Sequence, residues 1–166
     1  MTMNPLYAPQ DVAEAIDAWK ANCGPAALAA VLGCPMAVVR DYFPRYPSKP
    51  WTNPTHMKAA IVASGYLPRL TIPSRIKQGR RLPTHGVAFV QFWSDAIEAM
   101  PVLRQYQHTH WIATHGESGA EKPAMIYDIN ADGWIPPDDW KEELWPRFQE
   151  ATGATSIWIR TAYEVF

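Results

Sequence analysis

The stretch NCGPAALAAVLG, residues 22–33, is the part of the sequence around which the fold is predicted. Pro25 suits the first turn of a helix, because the N–H that proline lacks would have no intrahelical partner there. The alanines and leucines that follow are good helix formers, and Gly33 suits the left-handed residue that ends many helices. We therefore predict a short apolar helix over residues 24–32, with Cys23 at or just before its start.

Cys23 is predicted to lie where the free N–H groups and the positive end of the helix dipole meet. Such a position lowers the pKa of a thiol and favours the thiolate, which is the nucleophilic form. The alternative is a buried cysteine that packs as a small hydrophobic residue. Cys34 lies at the other end of the predicted helix, about 16 Å away by helix rise, so the two cysteines are too far apart to form a disulfide and are expected to be reduced.

The composition predicts a folded protein that is not built to bind a polyanion. The chain has 166 residues, 48% of them hydrophobic, eight tryptophans and a formal net charge of −1. This length fits one domain over residues 1–166. The net charge gives no sign of the basic face that nucleic-acid binding usually requires. Because we find neither a membrane-spanning apolar run nor a signal peptide at residues 1–9, we expect a cytoplasmic protein without a membrane span. We also expect no cofactor.

Hydrophobic patterns predict helices in the first part of the chain and strands in the second. This segregation indicates an α+β fold with an antiparallel sheet and one late helix. The helix over residues 35–43 is expected to pack through Val38, Val39, Tyr42 and Phe43. The predicted helices are residues 11–20, 24–32, 35–43, 55–64 and a last one that Asp138 or Asp139 caps and that ends near residue 151. The predicted strands are residues 66–72, 86–93, 107–114, 124–129 and 155–165.

Two polar residues on successive predicted strands complete a possible catalytic site. A cysteine nucleophile needs a base and a third group that orients the base. His110 opens an apolar strand, and Asp128 stands between apolar neighbours on the next strand, where an unpaired acid would be costly. His108 and Asn130 are secondary candidates, because we expect each to project from the same strand face as the residue two positions away.

The segments NCGPAALAAVLG, HTHWIAT and AMIYDIN together resemble the papain-like cysteine peptidase superfamily. They look most like the peptidase domains of bacteriocin-processing transporters and their stand-alone relatives, over about residues 11–165. The resemblance implies a papain-like fold, with a central cysteine-bearing helix packed on an antiparallel sheet, and a bacterial or phage origin. It implies that Cys23 is the nucleophile, His110 the general base and Asp128 the orienting acid, acting through a thioester on a peptide, a protein tail or a peptidoglycan-type amide.

The sequence departs from this family at the oxyanion hole. The family usually places a glutamine about six residues before the cysteine, where this chain has Asp17. A carboxylate would repel a developing oxyanion, so we take Asn22 and Gln10 as the candidates for the missing donor.

Two alternatives to a hydrolase remain open at this point. A binding or structural module on the same fold, without turnover, would account for Asp17. A metal site is the other alternative, since Cys23, His110, Asp128 and perhaps His108 could supply ligands for zinc. If the protein is a binding module, its recognition surface would be lined by tryptophans, namely Trp51, Trp93, Trp134, Trp140 and Trp145.

Overall fold

The fold is α+β, as predicted, and its described strands form one six-stranded sheet. The computed structural model describes residues 9–71, 81–131 and 133–166, without the side chains of residues 9 and 10. The last residue of the first predicted strand, Ile72, therefore lies outside the described residues. In chain order the elements are α1 (Pro9–Trp19), α2 (Cys23–Leu32), α3 (Met36–Val39) with a 3-10 turn (Arg40–Tyr42), α4 (Pro54–Ala63), β1 (Pro68–Leu70), β2 (Gly86–Trp93), α5 (Asp95–Glu98), α6 (Val102–Gln105) with a 3-10 turn (Tyr106–His108), β3 (Thr109–His115), β4 (Met125–Asp128) with a 3-10 turn (Ile129–Ala131), β5 (Gly133–Ile135), α7 (Pro137–Asp139), a π-helix (Trp140–Leu144), α8 (Trp145–Thr152) and β6 (Ser156–Val165).

The sheet has the strand order β1-β6-β2-β3-β4-β5, and every neighbouring pair is antiparallel. In β2, every residue from Gly86 to Phe92 is buried, because helices and loops cover both faces of the central strands. The register pairs Ala113 on β3 with Tyr127 on β4. The strands that carry His110 and Asp128 are therefore direct neighbours, as the sequence predicted.

Helix α2 lies in the core, between the other early helices and one face of the sheet. Asn22 caps its start by accepting a hydrogen bond from the Gly24 N–H at 3.2 Å, and Gly33 ends it with φ +62°. All residues from Gly24 to Val31 are buried, which requires the small side chains of this segment. Among the described residues no single helix is long and apolar enough to cross a membrane, although α2 and residues 36–42, bent by 111°, pass that test as a pair.

Glycine is required at position 24 by the close approach of a neighbouring loop. A Cβ atom at Gly24 would lie 2.4 Å from the Thr52 hydroxyl oxygen, which no real pair of such atoms tolerates. The loop before α4 therefore packs directly on the backbone of the first turn of α2.

The strand predicted over residues 107–114 begins two residues later than expected, and this moves His108. The three residues before Thr109 form a 3-10 turn, so His108 and His110 do not share a strand face, contrary to the prediction. The cause is Gln91, whose buried side-chain amide donates to the His108 carbonyl oxygen at 3.0 Å and holds the chain in the turn.

Two other boundaries also differ from the predictions. Strand β4 ends at Asp128, so Asn130 lies in the following 3-10 turn and does not project from the strand. Helix α7 begins at Pro137, because proline suits the first helical turn, and Asp138 and Asp139 lie inside the helix instead of capping it.

The packing face of α3 is only partly the predicted one. Val39 and Phe43 are buried as expected, but Val38 is 48% exposed and Met36 is completely buried. The reason is that α3 is a single turn that leads into a 3-10 turn, so a regular helical face does not extend over residues 36–43.

The burial of Met36 and the exposure of Val38 can be tested by replacing each side chain. Replacing Met36 by Ala should lower the free energy of unfolding by about 2–5 kcal/mol, because a filled core position becomes a cavity. Val38→Ala, on the same turn, should change it by less than about 0.5 kcal/mol. Urea unfolding of both variants measures this, and equal losses would contradict the described packing.

Candidate active site

The candidate site begins with the first turn of α2. Cys23 is its first residue and is partly buried. The Gly24 N–H is used by the Asn22 cap, and the Ala26 N–H bonds the Asn22 carbonyl oxygen. Within the described parts of the chain the Cys23 N–H has no hydrogen-bond partner, so it is free to donate to a group that approaches the thiol.

His110 and Asp128 meet at the edge of the site on neighbouring strands. The Nε2 atom of His110 lies 3.0 Å from Oδ1 of Asp128, with His110 7% exposed and Asp128 completely buried. The His110 side chain also hydrogen-bonds Cys23. Because Nε2 is occupied by Asp128, the ring nitrogen that serves Cys23 is Nδ1. The structure therefore brings together the three residues that the sequence singled out.

The electrostatics favour a charged cysteine and histidine pair. Burial would raise the pKa of the Cys23 thiol, but the charge and hydrogen bond of His110 and the backbone N–H of Trp111 hold that pKa below its usual range. Burial would likewise lower the pKa of His110, but the thiolate of Cys23 and the Asp128 carboxylate raise it to about 10. Each of the two residues thus favours the charged form of the other.

Besides His110, Asp128 is held by donors from Asn130 and Trp140, and the sequence predicted neither of these contacts with the carboxylate. Oδ2 accepts a hydrogen bond from Trp140 Nε1 at 2.9 Å, and Oδ1 accepts from the backbone N–H and the side-chain amide of Asn130 at 2.9 and 3.1 Å. These bonds and His110 outweigh burial and keep the pKa of Asp128 below its usual range. Asn130 therefore supports the carboxylate and does not orient the imidazole itself.

Aromatic rings enclose the His110 side chain. Phe148 lies 5.2 Å from the His110 ring centroid and Phe92 lies 6.4 Å from it, while Trp140 packs on Phe148 at 6.1 Å. The π-helix places Trp140 next to Asp128, and α8 supplies Phe148. An apolar enclosure of this kind keeps water away and strengthens the charged contacts inside it.

A loop between α3 and α4 fixes the other side of the cysteine. The Tyr46 hydroxyl donates to Asn22 Oδ1 at 2.7 Å and lies 2.9 Å from the Thr52 hydroxyl oxygen. Asn22 Nδ2 donates to the Pro50 carbonyl oxygen at 2.6 Å, and Trp111 Nε1 donates to the Thr52 carbonyl oxygen at 2.7 Å. Asn22, which precedes Cys23, and Trp111, which follows His110, are thus tied to one loop.

Tyr46 belongs to this site, although no feature of the sequence marked it. Burial, and then the neighbouring charge of Cys23, raise the pKa of its hydroxyl to about 12, so it stays protonated beside the thiolate. The sequence carries no signal of this role, since nothing in the proline-rich loop shows that its tyrosine folds back onto the Asn22 cap.

The other predicted residues have separate positions. Asn22 is a structural cap whose side-chain oxygen and one N–H are engaged, and Asp17 is exposed on α1. Gln10 is part of α1 by its backbone, but its side chain lies outside the described residues. Among the five tryptophans considered for a recognition surface, Trp51 is 48% exposed and Trp140 is buried at Asp128.

Comparison with known proteins leaves the chain without an assigned family. No protein-family model matches it, and no curated protein or solved structure is significantly similar to it. Among the described residues no group of three or more histidine, cysteine, aspartate or glutamate side chains is arranged to hold a metal ion. The arguments for function therefore depend on the geometry of this site.

The first test of the site concerns the pKa of Cys23. In His110→Ala the burial of the thiol is no longer opposed by an imidazolium, so the midpoint of thiol ionisation should move from below the ordinary value of about 9 to above it. The rate of iodoacetamide alkylation as a function of pH measures this midpoint. His108→Ala is the control and should keep the wild-type profile, and an unchanged profile in His110→Ala would contradict the ion pair.

The second test concerns the tryptophan that holds the acid. Trp140→Phe keeps an aromatic ring but removes the N–H from a buried carboxylate, which should cost about 1–3 kcal/mol of unfolding free energy and raise the pKa of Asp128, because the Trp140 hydrogen bond helps to lower that pKa. Urea unfolding and carbon-13 NMR titration of the Asp128 carboxyl measure the two effects. Trp145→Phe changes a neighbouring ring that packs on Phe92, and it should leave the Asp128 titration unchanged. Equal shifts of the Asp128 pKa in both variants would show that the Trp140 N–H makes no contribution.

Proposed function

We propose that the protein is a papain-like cysteine hydrolase, a peptidase or amidase that cleaves an amide or isopeptide bond through a thioester. The observation that supports this best is the buried contact between His110 and Asp128 beside Cys23, whose pKa His110 lowers. The arrangement of early helices, with the cysteine at the start of the central one, on an antiparallel sheet is compatible with the papain-like fold.

In the first half of the reaction the Cys23 thiolate attacks the carbonyl carbon of the scissile amide. The carbonyl π electrons move to oxygen, and a tetrahedral intermediate with a C–S bond forms. When the intermediate collapses, the C–N bond breaks and the His110 imidazolium gives its Nδ1 proton to the leaving amine. The products of this half are a free amine, a thioester on Cys23 and a neutral His110.

In the second half water replaces the amine. Neutral His110 takes a proton from the water molecule as it attacks the thioester carbonyl, and the resulting intermediate expels the Cys23 thiolate. A carboxylic acid leaves, and the thiolate and imidazolium pair is restored. Asp128 remains charged throughout and keeps the ring oriented, which its three other hydrogen bonds allow.

Stabilisation of the oxyanion is assigned to the first turn of α2. The Cys23 N–H is unengaged within the described residues and lies at the positive end of the helix. The second N–H of the Asn22 amide is the side-chain donor nearest in sequence, and its orientation is fixed by Tyr46 and Pro50. Asp17 stands at the sequence position of the family's glutamine, but its side chain is exposed. Its carboxylate is therefore no argument against an oxyanion at Cys23.

The two cysteines of the chain provide an internal comparison for testing this function. Burial, and then the charge of Asp11, raise the pKa of Cys34, whereas the pKa of Cys23 is lowered. At pH 7 iodoacetamide should therefore alkylate Cys23 at least about tenfold faster than Cys34 or glutathione, which peptide mass mapping can follow. Equal rates for the two cysteines would contradict the proposal.

Turnover requires a second measurement with substrates. Incubation with peptide mixtures and peptidoglycan fragments, followed by mass spectrometry, should show cleavage that Cys23→Ser reduces by at least about a thousandfold and Cys34→Ser leaves unchanged. If Cys23 is alkylated rapidly but no amide in these mixtures is cleaved, the protein is a binding module with an ionised cysteine, and the hydrolase proposal is wrong.

A further inference from the structure

A small cavity is lined in part by the loop that contacts Asn22 and Gly24, the neighbours of Cys23. Its volume is about 110 Å³, and its walls are largely apolar, with Arg45, Tyr46, Trp51 and His56 among the residues that line it. This volume has room for the methylene groups of a short side chain. Trp51 is 48% exposed, so the cavity can be reached from solvent.

The histidine in this cavity is neutral and serves as an acceptor. Nη1 of Arg45 lies 2.6 Å from Nε2 of His56, and a guanidinium can only donate, so Nε2 must accept. Burial and the charge of Arg45 both lower the pKa of His56, in agreement with a neutral ring. The charge of Arg45 is therefore positioned by His56 but is not compensated by it.

Arg45 has no acidic partner in the part of the chain that the structure describes. No carboxylate there lies within ion-pair distance of its guanidinium, whose remaining contact is with the ring of Trp51 at 5.7 Å. A guanidinium has five N–H donors, and one of them is used by His56. The others can bind a planar carboxylate through two parallel hydrogen bonds, the geometry that arginine favours.

The Tyr46 side chain joins the cavity wall to the residue that precedes Cys23. Tyr46 forms part of this wall, and the Tyr46 hydroxyl donates to Asn22, the residue before Cys23. The same loop is joined to Asn22 through Pro50 and packs on Gly24 through Thr52. A substrate residue bound in this cavity would therefore be separated from Asn22 by the Tyr46 side chain.

We propose that Arg45, Trp51 and His56 form a substrate site that binds a carboxylate next to the scissile bond. The carboxylate can belong to an Asp or Glu side chain or to the end of a peptide chain. This inference rests on the proposed hydrolase function and adds the class of substrate, a peptide with an acidic group near the cleaved amide.

Chloroacetyl peptides that alkylate Cys23 test the site directly. Three series are compared: peptide amides with Glu at successive positions, the same amides with Gln, and the Gln peptides with a free terminal carboxylate. In the best position Glu, or the free terminus, should reach half-saturation at about a tenfold lower concentration than the neutral amide. The position and the kind of acid identify which source of carboxylate is bound.

Variants of the loop separate a specific site from general charge attraction. Arg45→Gln should abolish the preference for the acidic probe, and Arg45→Lys, which keeps the charge but not the paired donors, should keep only part of it. Lys49→Gln removes an exposed charge from the same loop, outside the cavity wall, and should leave the preference unchanged. Circular dichroism checks that each variant is folded.

The outcomes distinguish this inference from the proposed function. If iodoacetamide modifies Cys23 rapidly but Glu and Gln probes saturate equally at every position, the carboxylate site is wrong and the hydrolase proposal stands. If Lys49→Gln reduces the preference as much as Arg45→Gln does, the attraction is diffuse and the site is also wrong. If Cys23 reacts no faster than glutathione with every reagent, the proposed function is wrong, and the substrate site that depends on it is wrong as well.

Discussion

The hydrogen bond between Asp128 and His110 is the contact on which the rest of the site depends. A completely buried carboxylate is tolerated only if its charge is compensated, because transfer of an ion out of water costs several kcal/mol. His110, Asn130 and Trp140 supply that compensation from three different elements. Together with Cys23, the same contact raises the pKa of His110, and His110 in turn lowers the pKa of Cys23. One buried charge thus links the sheet, the π-helix and helix α2.

The fold brings these groups together through a helix of small residues and a loop that packs on it. Because α2 has no side chain larger than leucine, the sheet and the neighbouring helices approach it closely and fix the position of Cys23. The loop over residues 44–53 then joins Asn22 to Trp111. Its Tyr46 hydroxyl donates a hydrogen bond to Asn22, and its Thr52 carbonyl oxygen accepts one from Trp111. We infer that this loop has two uses, one as a support for the nucleophile and one as a wall of a substrate site.

The sequence predicts those parts of the structure that local chemistry determines. Asn22, Pro25 and Gly33 define α2 by capping and turn preferences, and the apolar run of β2 defines a strand with both faces buried. The α+β class follows from the order of the elements. The positions of Cys23, His110 and Asp128 follow from their places at the start of a helix and on adjacent strands.

Long-range contacts account for the parts that the sequence does not predict. The Gln91 side chain draws His108 out of the strand, and the indole of Trp140 reaches Asp128 from an element twelve residues further along the chain. Tyr46 joins the site across 24 positions of sequence, and Met36 replaces Val38 in the core because α3 is too short for a regular face. None of these contacts leaves a periodic or motif-like trace.

We infer that Cys23 and His110 form a thiolate and imidazolium pair stabilised by buried Asp128, and the proposed mechanism depends on this pair. Nitrogen-15 NMR of the His110 ring at pH 8 tests this most directly, because the shifts of Nδ1 and Nε2 report which of them carries a proton. Since the pKa of His110 is raised to about 10, both nitrogens should be protonated in the wild type. In Cys23→Ala the imidazolium loses the thiolate, so its pKa should fall. A wild-type His110 with only one protonated nitrogen at pH 8 would contradict the ion pair and with it the proposed mechanism.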